Sequence, residues 1–193
     1  MKVLGISGSP RKGGNTDTLL DKALEGAEAA GASLEKIVLN DLNFCPCQEC
    51  GGCAKTGICV VKDEMQAVYE KLREADAVII ASPIFFGSVS AQVKMMIDRL
   101  QCLWVAKYVL KRAVSAKTKR KGIFLSVGGS DESEFFDNAK SIIKIFFATL
   151  GIKYAGELYY GGLDKKTAIK EEEGALKAAF SLGRSLVEGN QGP

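Results

Sequence analysis

Histidine is absent from the 193 residues. That removes His-ligated zinc, Rieske-type iron ligation and every Ser-His or Cys-His catalytic arrangement. Long apolar runs are missing too: nothing approaches the ~20 residues that span a bilayer. The short apolar stretch after Met1-Lys2 gives way at once to Ser7-Gly8-Ser9-Pro10, too soon for a secretory leader. Strong charge of one sign is also lacking. Twenty-six basic against 23 acidic residues leave +3, too little to argue for nucleic acid or a membrane surface. The expectation is a cytoplasmic protein with neither as partner. No repeat, low-complexity stretch or linker divides the chain, and its length suits one domain over residues 1–193.

Short apolar runs alternate with longer amphipathic ones. Strands are predicted at Lys2–Ile6, Leu34–Leu39, Ala77–Ala81, Gly122–Val127 and Ile152–Tyr160. Helices are predicted at about Asp17–Ala30, Asp63–Glu74, Ala91–Leu103, Phe135–Leu150 (closed by Gly151) and Glu172–Val187. This alternation implies an α/β fold, a doubly wound five-stranded parallel sheet covered on both faces. Only residues 40–62, rich in cysteine, look inserted.

Between the first strand and first helix lies Ser7-Gly8-Ser9-Pro10-Arg11-Lys12-Gly13-Gly14-Asn15-Thr16. A doubly wound sheet places a phosphate there, at a helix N-terminus outside the carboxyl ends of the strands. Ser7, Ser9 and Thr16 bring hydroxyls, Arg11 a cation, and Asn15 completes the candidate set. The loop matches neither the Walker nor the Rossmann glycine pattern. Its hydroxyls suit a terminal monophosphate, as in FMN. A second loop, Ser82-Pro83-Ile84-Phe85-Phe86-Gly87-Ser88, offers backbone N–H groups and an apolar surface for a planar isoalloxazine ring. Gly128-Gly129, at the end of the fourth strand, is placed to close the other side.

Five of the six cysteines lie between Cys45 and Cys59. In a reducing compartment such clustering points to metal or redox chemistry. Cys47-x2-Cys50-x2-Cys53-x5-Cys59 lets one loop wrap a compact cluster, and all-thiolate ligation at this spacing marks an iron–sulfur site, here [4Fe–4S]. Zinc is the rival, but zinc sites usually pair two Cys-x2-Cys units across a longer spacer. Cys45 stands two residues ahead of Cys47, so either could be first ligand; the spacing selects Cys47. Cys102, in a helical pattern, reads as a small buried hydrophobe.

The Ser7–Thr16 and Ser82–Ser88 stretches, with Gln92-Val93-Lys94 and Asp98-Arg99, resemble the NADPH-dependent FMN reductase group of flavodoxin-like proteins. The cysteine motif, followed by Val60-Val61-Lys62-Asp63-Glu64-Met65, is similar to the iron–sulfur flavoproteins of anaerobic archaea and bacteria. The resemblance implies strand order 2-1-3-4-5 and non-covalent FMN, its phosphate in the first loop and its ring beside Ser82–Ser88. It further implies a [4Fe–4S] cluster on the motif and electron transfer between ferredoxin and FMN. A homodimer or homotetramer is implied as well, with each cluster near the flavin of a neighbouring subunit. No acid–base catalytic residue is needed for such transfer.

Two other readings keep different parts of this picture. One is an NAD(P)H-dependent FMN or quinone reductase whose cysteines are structural. The other is a redox-sensing interaction protein whose cysteine loop binds zinc or forms disulfides. The run Lys107–Lys121 carries seven basic residues and no acid. It reads either as a solvated turn or as a docking patch for an acidic ferredoxin.

Overall fold

A computed structural model describes residues 1–189. Five long strands build the sheet: β1 (Lys2–Ser7), β2 (Ser33–Val38), β3 (Ala77–Phe85), β5 (Lys121–Val127) and β6 (Lys153–Tyr160). They are parallel and ordered β2-β1-β3-β5-β6. Counting the long strands alone, this is the expected 2-1-3-4-5 order. A sixth strand, β4 (Ser88–Val89), is an addition: it pairs antiparallel with the end of β3.

The alternation of strand side chains divides the core into two layers. Leu4, Ile6, Val78, Ile80 and Phe124 face α2 (Met65–Glu74), α3 (Ala91–Arg99), α4 (Gln101–Trp104) and α5 (Ser133–Leu150). Their neighbours Val3, Ala77, Ile79, Ile123 and Leu125 face α1 (Asn15–Ala29) and α6 (Ala175–Glu188). The two helices of the second layer meet backbone to backbone. A Cβ on Gly183 would lie 1.8 Å from the Ala23 carbonyl oxygen, and one on Gly26 would lie 2.0 Å from that of Phe180.

Three expectations are corrected. Ser82–Ser88 is not a loop throughout: β3 continues to Phe85, and Phe86-Gly87 turns the chain into β4. Both turn residues have positive φ (49° and 69°), the requirement of a two-residue type I′ hairpin. The helix expected over Ala91–Leu103 breaks at Leu100 and resumes as α4, then widens into a π turn at Val105–Val109. There the Arg99 carbonyl accepts from the Tyr69 hydroxyl and Cys102 Sγ. Finally, the helix expected from Glu172 begins at Ala175, because Gly174 sits in the left-handed region.

The basic run is also less free than its sequence implies. Arg120 is buried and donates to the carbonyls of Ala75, Leu150 and Leu72. Lys117 pairs with Asp76, and Lys107, Arg112 and Lys121 donate to backbone carbonyls. No helix among the described residues is long and apolar enough to cross a membrane.

Candidate functional site

Two cavities stand out, and they share no lining residue. The larger, about 610 Å³, opens at the carboxyl ends of the strands, the size and place of a small-molecule site in this architecture. Ser9, Arg11, Asn15 and Thr16 form one wall. Pro83 to Gly87 form a second and Gly128 and Gly129 a third, so most of the predicted cofactor residues meet here.

The phosphate loop is held by its own groups. Ser9 Oγ accepts from the Arg11 N–H and faces the Arg11 carbonyl, each at 3.2 Å. The Gly13 N–H donates to Asp17 Oδ2 at 2.9 Å, and Lys36 pairs with Asp17 at 2.8 Å. Burial alone would push the Asp17 carboxyl up, but Lys36 and the Gly13 N–H hold it below the usual range. Helix α1 starts after Gly14 without a side-chain cap. The N–H groups of its first turn therefore meet no capping side chain, the arrangement that favours an anion. A Cβ on Gly8 would strike Val93 Cγ2 at 2.1 Å, so the loop lies directly on α3.

Other predicted residues are placed differently. Ser7 is buried beneath the loop, outside the cavity lining. Ser82 is buried too: its Oγ accepts from the Ser90 N–H at 2.9 Å and its carbonyl accepts from Ser126 Oγ at 2.8 Å. Ser88 lies in β4, off the lining. The buried hydroxyls of Ser7 and Ser82 belong to the scaffold. Asn15 lines the cavity but its amide is committed: Nδ2 donates to the carbonyls of Leu163 and Lys165, and Oδ1 accepts from Ile169 N–H. It thereby fastens the 163–169 segment to the phosphate loop.

That segment supplies a rim the sequence reading missed. Leu163, Asp164 and Lys166 line the cavity, as does Phe135 from α5. Arg11 Nη1 rests on the Asp164 carbonyl at 3.3 Å. The signal was available, since Gly161-Gly162 follows the last strand where a ligand-facing loop belongs. Phe86 projects fully into solvent at the mouth. A bulky residue at positive φ costs of order 1–3 kcal/mol and is characteristic of functional sites.

The smaller cavity, about 290 Å³, is lined by Cys47, Cys50, Cys53 and Cys59, with Arg99 and Cys102 behind them. Residues 42–64 that carry the motif form no helix or strand. All six cysteines are free thiols. No three of the sulfurs converge as a single ion requires, among the described residues. They surround a space well beyond the ~10–15 Å³ one water needs. Cys45 is outside this lining. Its N–H donates to Asp63 Oδ2 at 3.2 Å and its carbonyl accepts from Arg99 Nη1 at 2.8 Å. Burial pushes the Cys53 thiol up, and the neighbouring motif cysteines add to it. Cys102 is buried, and that burial raises its thiol as well.

The family model described as NADPH-dependent FMN reductase matches residues 1–156. An iron-sulfur flavoprotein of Methanosarcina thermophila is 40% identical over 130 residues, 67% of this chain and 64% of that one. One of Methanocaldococcus jannaschii is 33% identical over 195 residues, covering 97% of this chain and 96% of the relative. The chain thus aligns with just under two thirds of the first relative and nearly all of the second. Among solved structures, an NAD(P)H:quinone oxidoreductase from Methanothermobacter marburgensis superposes with TM-score 0.76 at 20% identity, over 96% of each chain. That likeness is one of fold. The strand order, the two cavities and these matches agree, and the chain belongs to the iron–sulfur flavoproteins of the NADPH-dependent FMN reductase family.

Proposed function

We propose that this protein binds FMN in the larger cavity and a [4Fe–4S] cluster on Cys47, Cys50, Cys53 and Cys59. In this reading it exchanges electrons between a one-electron carrier such as ferredoxin and the flavin. The observation that carries it is the common cavity of the four motif thiols. Their arrangement around a space fits a multi-atom group that takes four thiolates. A cluster supplies one-electron steps and FMN two-electron steps, so holding both joins the two kinds of chemistry.

The chain's own residues provide positions and surroundings. Arg11 and the first turn of α1 meet the phosphate. Pro83 to Gly87 and Gly128-Gly129 border the ring, and the rim at Leu163–Lys166 limits water. At the other site Gly57, at φ 71°, lets the cysteine loop lie against Ala106 with no room for a Cβ. The two cavities share no lining residue. In this reading the protein is a homodimer or homotetramer in which the cysteine site of one subunit faces the flavin of another. Ferredoxin would be the donor, approaching the basic run.

Iron, acid-labile sulfide and flavin assayed on anaerobically purified protein test the reading. About four, four and one per chain are expected. Stoichiometric zinc without sulfide would return the cysteines to a structural role and leave an FMN-dependent reductase.

A further inference from the structure

A guanidinium carries five N–H donors and keeps its charge in proteins, so a buried one calls for an explanation. Arg99, the last residue of α3, is 2% exposed. Nη1 donates to the Cys45 carbonyl at 2.8 Å and to Asp63 Oδ2 at 2.6 Å. Nη2 donates to Asp63 Oδ1 at 3.1 Å and points to Cys59 Sγ at 3.5 Å. Nε is buried with no hydrogen-bond partner among the described residues. The fork thus grips one carboxylate, one loop carbonyl and two sulfurs, Cys59 of the motif and, at 3.7 Å from Nη1, Cys45.

Stability does not account for this choice. Replacing a buried ion pair by apolar side chains of similar volume is often neutral or stabilising. What an apolar residue cannot do is present positive charge and an N–H to a sulfur. Hydrogen bonds to ligating sulfurs and the charge around them set the reduction potential of an iron–sulfur group. The placement is also fixed from behind, where Tyr69 Oη donates to the Arg99 carbonyl at 2.8 Å. The C-terminal end of a helix favours a cation there.

We propose that Arg99 sets the potential of the cysteine site: its Nη2–H on Cys59 favours the reduced state of the group held there, and Asp63 tempers that field. This rests on the iron–sulfur reading above. Arg99 acts through Cys59 and is a positioning residue.

The test is a redox titration of anaerobically purified, loaded protein, following the cluster by paramagnetic resonance and the flavin by absorbance. At the potential where the wild-type cluster is half reduced, Arg99→Met is expected to lower the reduced-to-oxidised ratio about tenfold, 59 mV for one electron. Asp63→Asn leaves the guanidinium uncompensated and is expected to shift the ratio the other way. Arg99→Lys, which keeps charge without the fork, falls between wild type and Arg99→Met. The flavin, in a cavity that shares no lining residue with the cysteine site, keeps its potential in all three. A loaded Arg99→Met with an unmoved midpoint, or two variants shifting the same way, overturns the proposal. If Arg99→Met takes up no iron, the sign in Asp63→Asn decides: a rise supports it, while no change or a fall overturns it. Failure of both to load leaves the pair with its anchoring role alone and also overturns it. Wild-type protein without iron and sulfide removes the iron–sulfur reading itself, a failure visible before any titration.

Discussion

The two cavities are built in opposite ways. The larger is assembled from residues between Ser9 and Lys166, brought together by the ends of parallel strands and seated on a buried sheet. The smaller takes its four thiols from one thirteen-residue stretch without regular structure, anchored from outside by Arg99 and Asp63. One site is made by topology and the other by local spacing. A site of the first kind is formed by folding alone. A site of the second kind has little apolar burial of its own and gains order from what it binds.

If that contrast holds, each site can be lost without the other. The largest effect is expected from Cys50→Ala or Cys53→Ala, which should abolish bound iron and sulfide while one FMN per chain remains. Cys102→Ala and Cys45→Ala should keep both, since neither sulfur is placed as a motif ligand. Metal and flavin analysis checks this, and loss of FMN in either motif variant would break the comparison.

The converse variant is Arg11→Ala. It should weaken FMN binding by about 1.5–3 kcal/mol, the worth of a charge-assisted contact, with iron content unchanged. Ser9→Ala should lose about 1 kcal/mol, because its hydroxyl already serves Arg11 backbone groups. Fluorescence titration measures both, and riboflavin should bind wild type less tightly than FMN. Equal affinity for the two would remove the phosphate site.

Acid should loosen the larger site through Asp17. Its carboxyl is depressed in the folded protein, so its stabilisation is present above the unfolded value of about 3.9 and is lost as pH falls through the folded value below it. Asp17→Asn should flatten the acid limb of thermal stability. An unchanged limb would show that Lys36 and Gly13 do not hold the loop through this group.

The smallest effect concerns the surface. Lys117, Lys119 and Lys121 replaced together by Gln should slow association with reduced ferredoxin several-fold and flatten its salt dependence. Lys117 is paired with Asp76 and Lys121 is engaged by the Gly189 carbonyl, so part of this charge is already committed. Stopped-flow rates across ionic strength would measure it, and an unchanged salt slope would leave the run as a solvated turn.

What could be read beforehand follows the same division. The Cys47–Cys59 spacing and the strand–loop–helix at Ser7–Thr16 are local patterns, and both lie where a cavity forms. The 163–166 rim left only the signal of Gly161-Gly162 after the last strand, because it meets Arg11 and Asn15 through the order of the strands. Arg99 stood in a helical pattern with nothing to mark it as buried beside Cys59. Ser7 and Ser82 lie outside the cavity lining for a related reason: a hydroxyl at a strand end can serve a ligand or a neighbouring group of the chain, and only burial separates the two. The helix expected through Leu103 broke because Arg99 and Leu100 serve tertiary partners rather than helical propensity.

The glycine contact between α1 and α6 bears on when the protein becomes competent during its synthesis. Leu19, Leu20, Ala23 and Ala27 of α1 lie in the layer that α6 covers, and the seam is too tight for any substitute. The helix that presents the phosphate loop emerges early, yet its outer face stays wet until a segment near position 183 has left the ribosome. At roughly 5–20 residues per second that interval lasts seconds. FMN therefore meets a finished pocket only after most of the chain has been made, whereas the cysteine segment is complete long before. The order of translation sets the order in which the two sites can be filled.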